Sequence, residues 1–164
     1  MIIYVKNKHT LKVDDFKFKC CVGKKGISKK KIEGDLKTPS GIFKLGPLFF
    51  RKDKVKKIFT NLKSIEIKKN MGWCNDVKSK KYYNRLINTQ QNLRHEKLFR
   101  KDYKYNLFIP ILYNYKKNKL SKGSCIFLHL TKNYKPTAGC IAIKEDAFLI
   151  LLKLINRNTK IKII

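Results

Sequence analysis

The chain is short of acidic residues, of closely spaced cysteines and of long apolar runs. Asp and Glu number 11 against 40 Lys and Arg, a net charge of +29. Cys20, Cys21, Cys74, Cys125 and Cys140 contain no Cys-x-x-Cys pair, so the spacing of structural zinc sites and of thioredoxin-like centres is missing. An odd set of five cysteines cannot all pair internally, so a monomer keeps at least one free thiol. No segment approaches the roughly 18 apolar residues of a membrane-spanning helix. The opening MIIYVKNKHTLKV lacks the basic start, apolar core and small-residue cleavage site of a secretion signal. Repeats and low-complexity linkers are also absent.

The positive charge invites a nucleic-acid partner, but the supporting features are missing. There is no Arg-rich helix, no aromatic RNA-binding signature and no zinc-finger spacing. The excess is scattered Lys among Ile, Asn, Phe and Tyr, the profile an A+T-rich coding bias would give. No nucleic-acid partner is expected. A basic surface favours any acidic polymer or anionic envelope, with strong salt dependence.

What remains is a globular chain. Its 164 residues, 43% of them hydrophobic, suit one domain, residues 1–164. A chain of this length buries roughly 68–70% of its unfolded surface, enough for a core without disulfides. Residues 1–6, 10–22, 41–46 and 62–68 read as strands, and GKKGISKKKIEGDLKTPSG between two of them as a long loop. YNLFIPILYNY is a strand in which Pro110 implies an edge or a bulge. LRHEKLFRKD reads as a short helix. SCIFLHL and GCIAIK read as strands joined by TKNYKPTA, and TKIKII as a closing strand. The clearest helix is EDAFLILLKLINR, with Glu145 and Asp146 at its start and Lys153 and Arg157 near its end, matching the helix dipole. The expected fold is mainly β, built mostly from antiparallel hairpins, with a helix over about 145–156 packed on the sheet.

Within FLHLTKNYKPTAGCIAI, His129 and Cys140 stand eleven positions apart. Alternation puts Cys125, Phe127 and His129 on one face of their strand and Ile126, Leu128 and Leu130 on a clean core face. Pro136 and Gly139 read as turn devices. An antiparallel return would bring Cys140 beside His129 at a sheet edge. A thiolate attacks and a neighbouring imidazole takes its proton. Gly139 before the thiol leaves main-chain N–H groups accessible to an oxyanion. From these residues alone three readings stand: a Cys/His catalytic pair, a plain hairpin, or a metal site of Cys125, His129 and Cys140 that lacks a fourth ligand.

GDLKTPSGIFKLG, GWCNDVKSKKYYN and GSCIFLHLTKNYKPTAGCIAI, in that order, resemble the L,D-transpeptidase catalytic domain (YkuD family), in its branch with a GWC-x-D…YN segment. The resemblance runs from about Gly23 to the end. It implies a β-sandwich-like fold with a packed helix and a cysteine acyltransferase of peptidoglycan. The cysteine would attack the L,D bond of a tetrapeptide stem, release D-Ala, and pass the acyl group from a thioester to an amine of another stem. By position, Cys140 is the nucleophile, His129 the base, and Gly139 with the Cys140 amide the oxyanion site. Trp73, Asp76, Tyr83, Asn84, Arg100 and Thr137 would bind substrate. Trp73 could equally cap the core and Asp76 pair with a Lys. The mechanism needs no metal and no cofactor. The partner would be peptidoglycan stem peptides, the protein a monomer, and the location the periplasm or envelope, with the cytoplasm as the alternative. An L,D-carboxypeptidase or amidase would use the same residues.

The sequence departs from the common family pattern, a Ser-His-Gly-Cys run with Arg soon after. Here Thr137-Ala138-Gly139-Cys140 is followed by Ile141 and Ala142. The contact to a stem carboxylate would then fall to another cation, Arg85 or Arg100. The carbonyl of Leu130 is the group left to orient His129.

Overall fold

The structure, a computed structural model, describes all residues from Met1 to Ile164. The first sheet joins the two ends of the chain. β1 (Ile2–Lys6) pairs in parallel with β15 (Lys160–Ile163). β2 (Thr10–Val13) and β3 (Phe16–Lys19) extend one side, and β6 (Gly41–Lys44) closes the other. Alternation here is plain: Ile3, Val5, Leu11, Val13, Ile161 and Ile163 are buried while their neighbours face outward.

The second sheet carries the chemistry. Its order is β14 (Ile141–Ile143), β13 (Phe127–Leu130), β12 (Leu107–Pro110), β7 (Leu48–Phe50) and β8 (Ser64–Glu66). Both faces are covered, so its central strands read as continuous apolar runs. One face packs on the first sheet and the helix, where Leu107, Ile109, Leu128, Leu130, Ile141 and Ile143 join the main core. The other gathers Phe49, Phe108, Phe127, Trp73, Tyr105 and Leu98 in an aromatic layer. That layer is roofed by a third sheet, in which β9 (Met71–Cys74) runs between β10 (Leu86–Asn88) and β11 (His95–Lys97).

The helix α1 (Glu145–Leu154) starts where expected. Its Ala147, Phe148, Leu151 and Leu152 form one buried face. It ends two residues short of the expected limit. The Asn156 side chain accepts from the Asn158 amide, and Thr159 closes the turn through both its N–H and its hydroxyl, which steers the chain into β15.

Several sequence expectations are corrected. The segment expected as a helix, 93–102, contains β11. His95 lies over Gly72 of β9, where an added Cβ would come within 2.6 Å of the imidazole, and buried Leu98 follows the strand. The loop after Gly23 carries the short parallel strands β4 (Ile27–Ser28) and β5 (Thr38–Pro39). Pro110 lies in a central strand, yet past the last residue that β7 pairs, so its missing N–H interrupts no ladder there. The most consequential correction is that β13 and β14 are parallel, with Leu128 opposite Ile141 and His129 opposite Ala142. β13 is four residues long, roughly 13 Å, and a ten-residue connection easily runs back along it.

Truncating Phe148 to Ala should cost about 3–5 kcal/mol by opening the contact between helix and sheet. Ile150→Ala, at a 39% exposed position of the same helix, should stay within about 0.5 kcal/mol. Urea midpoints of the two variants measure the difference.

Candidate active site

The parallel register sets the site. Leu128 and Ile141 point into the main core. Phe127 and Cys140, the preceding pair in the same register, point into the aromatic layer. His129 lies one same-face step further along β13, opposite Ala142, a separation of roughly 8 Å between the Cα atoms of His129 and Cys140 for ordinary strand spacing. Ala142 is small and fully buried, which leaves the imidazole room. The Tyr105 ring meets it edge-on, with centroids 5.5 Å apart.

Cys140 and His129 share a cleft of about 480 Å³ whose walls include Gly139, Thr137, Arg100 and Tyr105. A more open groove of about 700 Å³ runs past Lys8, Ile27 and Ile42, but it contains neither a thiol nor an imidazole. Cys140 keeps 9% of its surface exposed and His129 7%, so both are reachable from the cleft but nearly dry. Burial pushes the Cys140 thiol up to about 12, opposed by the Phe127 amide, which points at the sulfur from 3.4 Å. The thiol itself donates to the Cys125 carbonyl at 3.1 Å. Burial also pulls His129 down to about 4, opposed by its bond to the Leu130 carbonyl and reinforced by Lys104 and Arg100. The resting pair is therefore neutral thiol and neutral imidazole, and no hydrogen bond joins them.

The imidazole tautomer follows from one contact. Nδ1 lies 2.9 Å from the Leu130 carbonyl oxygen, which can only accept, so Nδ1 carries the proton. Nε2 is left with its lone pair and no protein donor. The carbonyl expected from the sequence is the one that holds the ring.

The turn before the thiol is equally defined. Gly139 has φ +145°, and a Cβ there would lie 2.9 Å from the Lys37 carbonyl oxygen. The Gly139 N–H donates to Thr137 Oγ1, which in turn donates to the Cys140 carbonyl. The Gly139 carbonyl accepts from Thr38 Oγ1 at 2.8 Å. The Cys140 N–H has no protein acceptor.

The residues expected to bind substrate divide into two groups. Arg100 and Thr137 line the cleft. Arg100 is already engaged by Glu96 and Asp102. Arg94, Lys104 and Lys135 line the same cleft without a carboxylate in ion-pair range. Arg85 lies elsewhere, stacked on Tyr115 at 4.0 Å. Trp73, Asp76, Tyr83 and Asn84 do not reach the cleft wall. Trp73 packs on Phe49 and Phe127 and donates from Nε1 to Asn84 Oδ1. Asn84 also accepts from the Cys125 amide and donates to the carbonyls of Tyr113 and Asn114. Asp76 caps a turn through Lys78 and Arg94. Tyr83 is fully buried and donates to Glu33 Oε2 at 2.5 Å. No three His, Cys, Asp or Glu side chains gather as a metal-binding group, and all five cysteines are free thiols.

Two participants escape a reading of the sequence. Glu33 sits in the cleft wall, held by Tyr83 and Ser124, with no cation in ion-pair range despite the +29 charge. Thr38 is fully buried in the turn-like TPSG run. Both lie in the GKKGISKKKIEGDLKTPSG run, which reads as a loop because the partners are far along the chain: Tyr83 and Ser124, 50 and 91 residues from Glu33, and Gly139, 101 residues from Thr38.

The fold and the cleft define a class: a β domain that presents a buried thiol and an oriented imidazole in one cavity, with a main-chain amide at the thiol's own residue that has no protein acceptor. The family model described as the L,D-transpeptidase catalytic domain (YkuD) matches residues 1–163, and the chain belongs to that family. Among solved structures it is similar to the helical cell shape determining protein Pgp2 from Campylobacter jejuni (19% identity, TM-score 0.54). That match covers 99% of this chain and 46% of the other. A point mutant of the same protein matches at 18% identity and TM-score 0.53, over 99% and 46%. Bd1075 from Bdellovibrio bacteriovorus matches at 18% identity and TM-score 0.49, over 99% and 47%. The chain thus spans about half the length of these structures, and the likeness to Pgp2 establishes the fold. No curated protein matches the chain. No helix is long and apolar enough to cross a membrane.

His129 should make stability pH-dependent. The unfolded chain takes up its proton near 6.5, the folded one only near 4. Unfolded protein binds more protons in that window, so stability falls as pH falls through it. Between pH 7 and pH 4 the loss from this group should reach about 3 kcal/mol, at about 1.4 kcal/mol per unit. His129→Gln should lack that component, which urea unfolding at the two pH values measures.

Proposed function

We propose that this chain is the catalytic unit, residues 1–164, of a peptidoglycan L,D-transpeptidase, with Cys140 as nucleophile and His129 as base. What carries the reading is one conjunction: within a family of such enzymes, the thiol shares a cleft with an imidazole whose free nitrogen is Nε2 and with an unpaired amide at its own residue. As the carbonyl of the L,D bond enters, the thiol proton passes to Nε2 and sulfur attacks carbon. The Cys140 N–H stabilises the oxyanion. The proton then goes to the amine of the departing D-Ala, the C–N bond breaks, and a thioester remains. An acceptor amine attacks the thioester, loses its proton through His129, and frees the thiol.

Arg94, Lys104 and Lys135 are the cations available for stem carboxylates, beside Thr137 and the partly neutralised Arg100. Glu33 takes the role of anchoring a substrate ammonium, in place of Asp76. Trp73, Tyr83 and Asn84 support the cleft from behind. Peptidoglycan as substrate implies an envelope location, and the stem peptides are the partner. Water in place of the acceptor amine gives a carboxypeptidase on the same residues.

Incubation of the protein with tetrapeptide muropeptides tests the proposal. Wild type should release D-Ala and form amide cross-links, with amide product rising as an added amine competes with water. Cys140→Ala should abolish both. His129→Gln should slow acylation by about 10²–10⁴-fold. A carbapenem should add its mass to Cys140. Cross-linking retained in Cys140→Ala would overturn the assignment. Product that ignores an added amine would leave only the hydrolase.

A further inference from the structure

The loop from Gly23 to Gly41 lies far from the nucleophile in sequence, yet one of its side chains reaches the peptide that precedes the sulfur. We propose that Thr38 is a positioning residue: its hydroxyl fixes the Gly139–Cys140 peptide so that the Cys140 N–H faces the cleft. The inference rests on the reading of Cys140 as an acylated nucleophile.

The geometry is a relay through one oxygen. The Gly23 N–H donates to Thr38 Oγ1 at 2.8 Å, which occupies a lone pair. The single hydroxyl proton then goes to the Gly139 carbonyl, also at 2.8 Å. A trans peptide is planar, with C=O and N–H directed oppositely. Tying the carbonyl to Thr38 on one side therefore presents the next N–H, that of Cys140, on the other. If the peptide turned over, the Gly139 carbonyl oxygen would face the cleft and repel the oxyanion that the amide should hold. Thr38 is fully buried, so water has no route to replace its hydroxyl.

The anchor is itself well held. The Thr38 N–H donates to the Gly26 carbonyl, and Thr38 pairs with Ile27 in the two-stranded β4–β5 ladder. The same loop grips the turn at a second point, where the Lys24 N–H donates to the Thr137 carbonyl and the Thr137 N–H to that of Val22. Gly139, at φ +145°, supplies the backbone freedom the orientation requires. A change at Thr38 should thus leave the thiol, the imidazole and the cleft lining in place and alter the oxyanion donor.

Two reagents separate that role from a structural one. A carbapenem acylates sulfur through a tetrahedral oxyanion. Iodoacetamide alkylates it by direct displacement of iodide, with no carbonyl addition. The full chain is treated with each, adducts are localised to Cys140 by peptide mass, and folding is followed by circular dichroism. Thr38→Val should slow acylation by about 10²-fold, the scale of losing one oxyanion donor, with alkylation within about 2-fold of wild type. Thr38→Ser, which keeps the hydroxyl, should acylate within a few-fold of wild type. Thr38→Cys, a weak donor of similar size, should show the same selective loss at smaller amplitude and decides the matter if Thr38→Val does not fold. Equal acylation in wild type, Thr38→Val and Thr38→Cys, or parallel loss of both reactions, would overturn the role of Thr38. Absence of any carbapenem adduct on wild-type Cys140 would instead overturn the enzyme reading on which it rests.

Discussion

The structure depends on β13 and β14 running in the same direction. Leu128 pairs with Ile141 in that register, which directs the sulfur of Cys140 to the Phe127 side of the sheet, away from the main core. A one-residue slip would reverse every side chain of β14 and drive the thiol between the two sheets. The register is protected because both faces are buried and each accepts only its own set: branched aliphatics on one side, aromatics on the other. The placing of the cleft thiol and the packing of the core are thus one constraint. The connection from Thr131 to Cys140 leans on residues 22 to 24, through the Gly23–Thr137 bridge and the backbone bonds of Val22 and Lys24 to Thr137.

Burial moves the thiol and the imidazole of the cleft in opposite directions. It keeps the thiol protonated and the imidazole neutral, so the resting site holds no ion pair. A free thiolate would be the stronger nucleophile, but exposed to water it would also be open to oxidation. In the proposed reaction a neutral pair would transfer its proton when a carbonyl arrives, and the dry surroundings would then strengthen the attraction between the developing oxyanion and a fixed amide. The Leu130 carbonyl holds the imidazole in the tautomer with its lone pair on Nε2. A carboxylate in that place would raise the basicity of the ring. A carbonyl orients it and leaves it a weak base.

Much of this was legible in the sequence. Alternation in SCIFLHL assigned Leu128 and Leu130 to the core and His129 to the other face, and the acidic start and amphipathic face of EDAFLILLKL marked the helix. The direction of β14 was not legible, because a ten-residue connection is compatible with either sense and the alternation of one strand does not record the sense of its neighbour. The segment 93–102 misled because its charges mimic a helix surface, whereas Arg100 uses them to bind Glu96 and Asp102 across an extended bend. Trp73 and Asn84 looked like recognition residues because an aromatic and an amide in an irregular stretch suit ligands. In the fold they bind each other and seal the back of the aromatic layer. Long-range hydrogen bonds such as Thr38 to Gly139, 101 residues apart, leave no local trace at all.

The charge of the chain contrasts with the neutrality of its thiol–imidazole pair. With 40 cations and 11 anions, most basic side chains have no acidic partner to find. All four ion pairs involve loops or turns, and two of them pin Arg100 at the cleft wall. Engaging Arg100 in this way fixes its guanidinium over the Tyr105 ring, 5.0 Å from the centroid. The unpaired lysines act over a distance instead. Their field extends about 8 Å at physiological salt, so it concentrates an anionic polymer near the surface without fixing a register. In the proposed reaction, selection would then fall to the few charged groups that line the cleft.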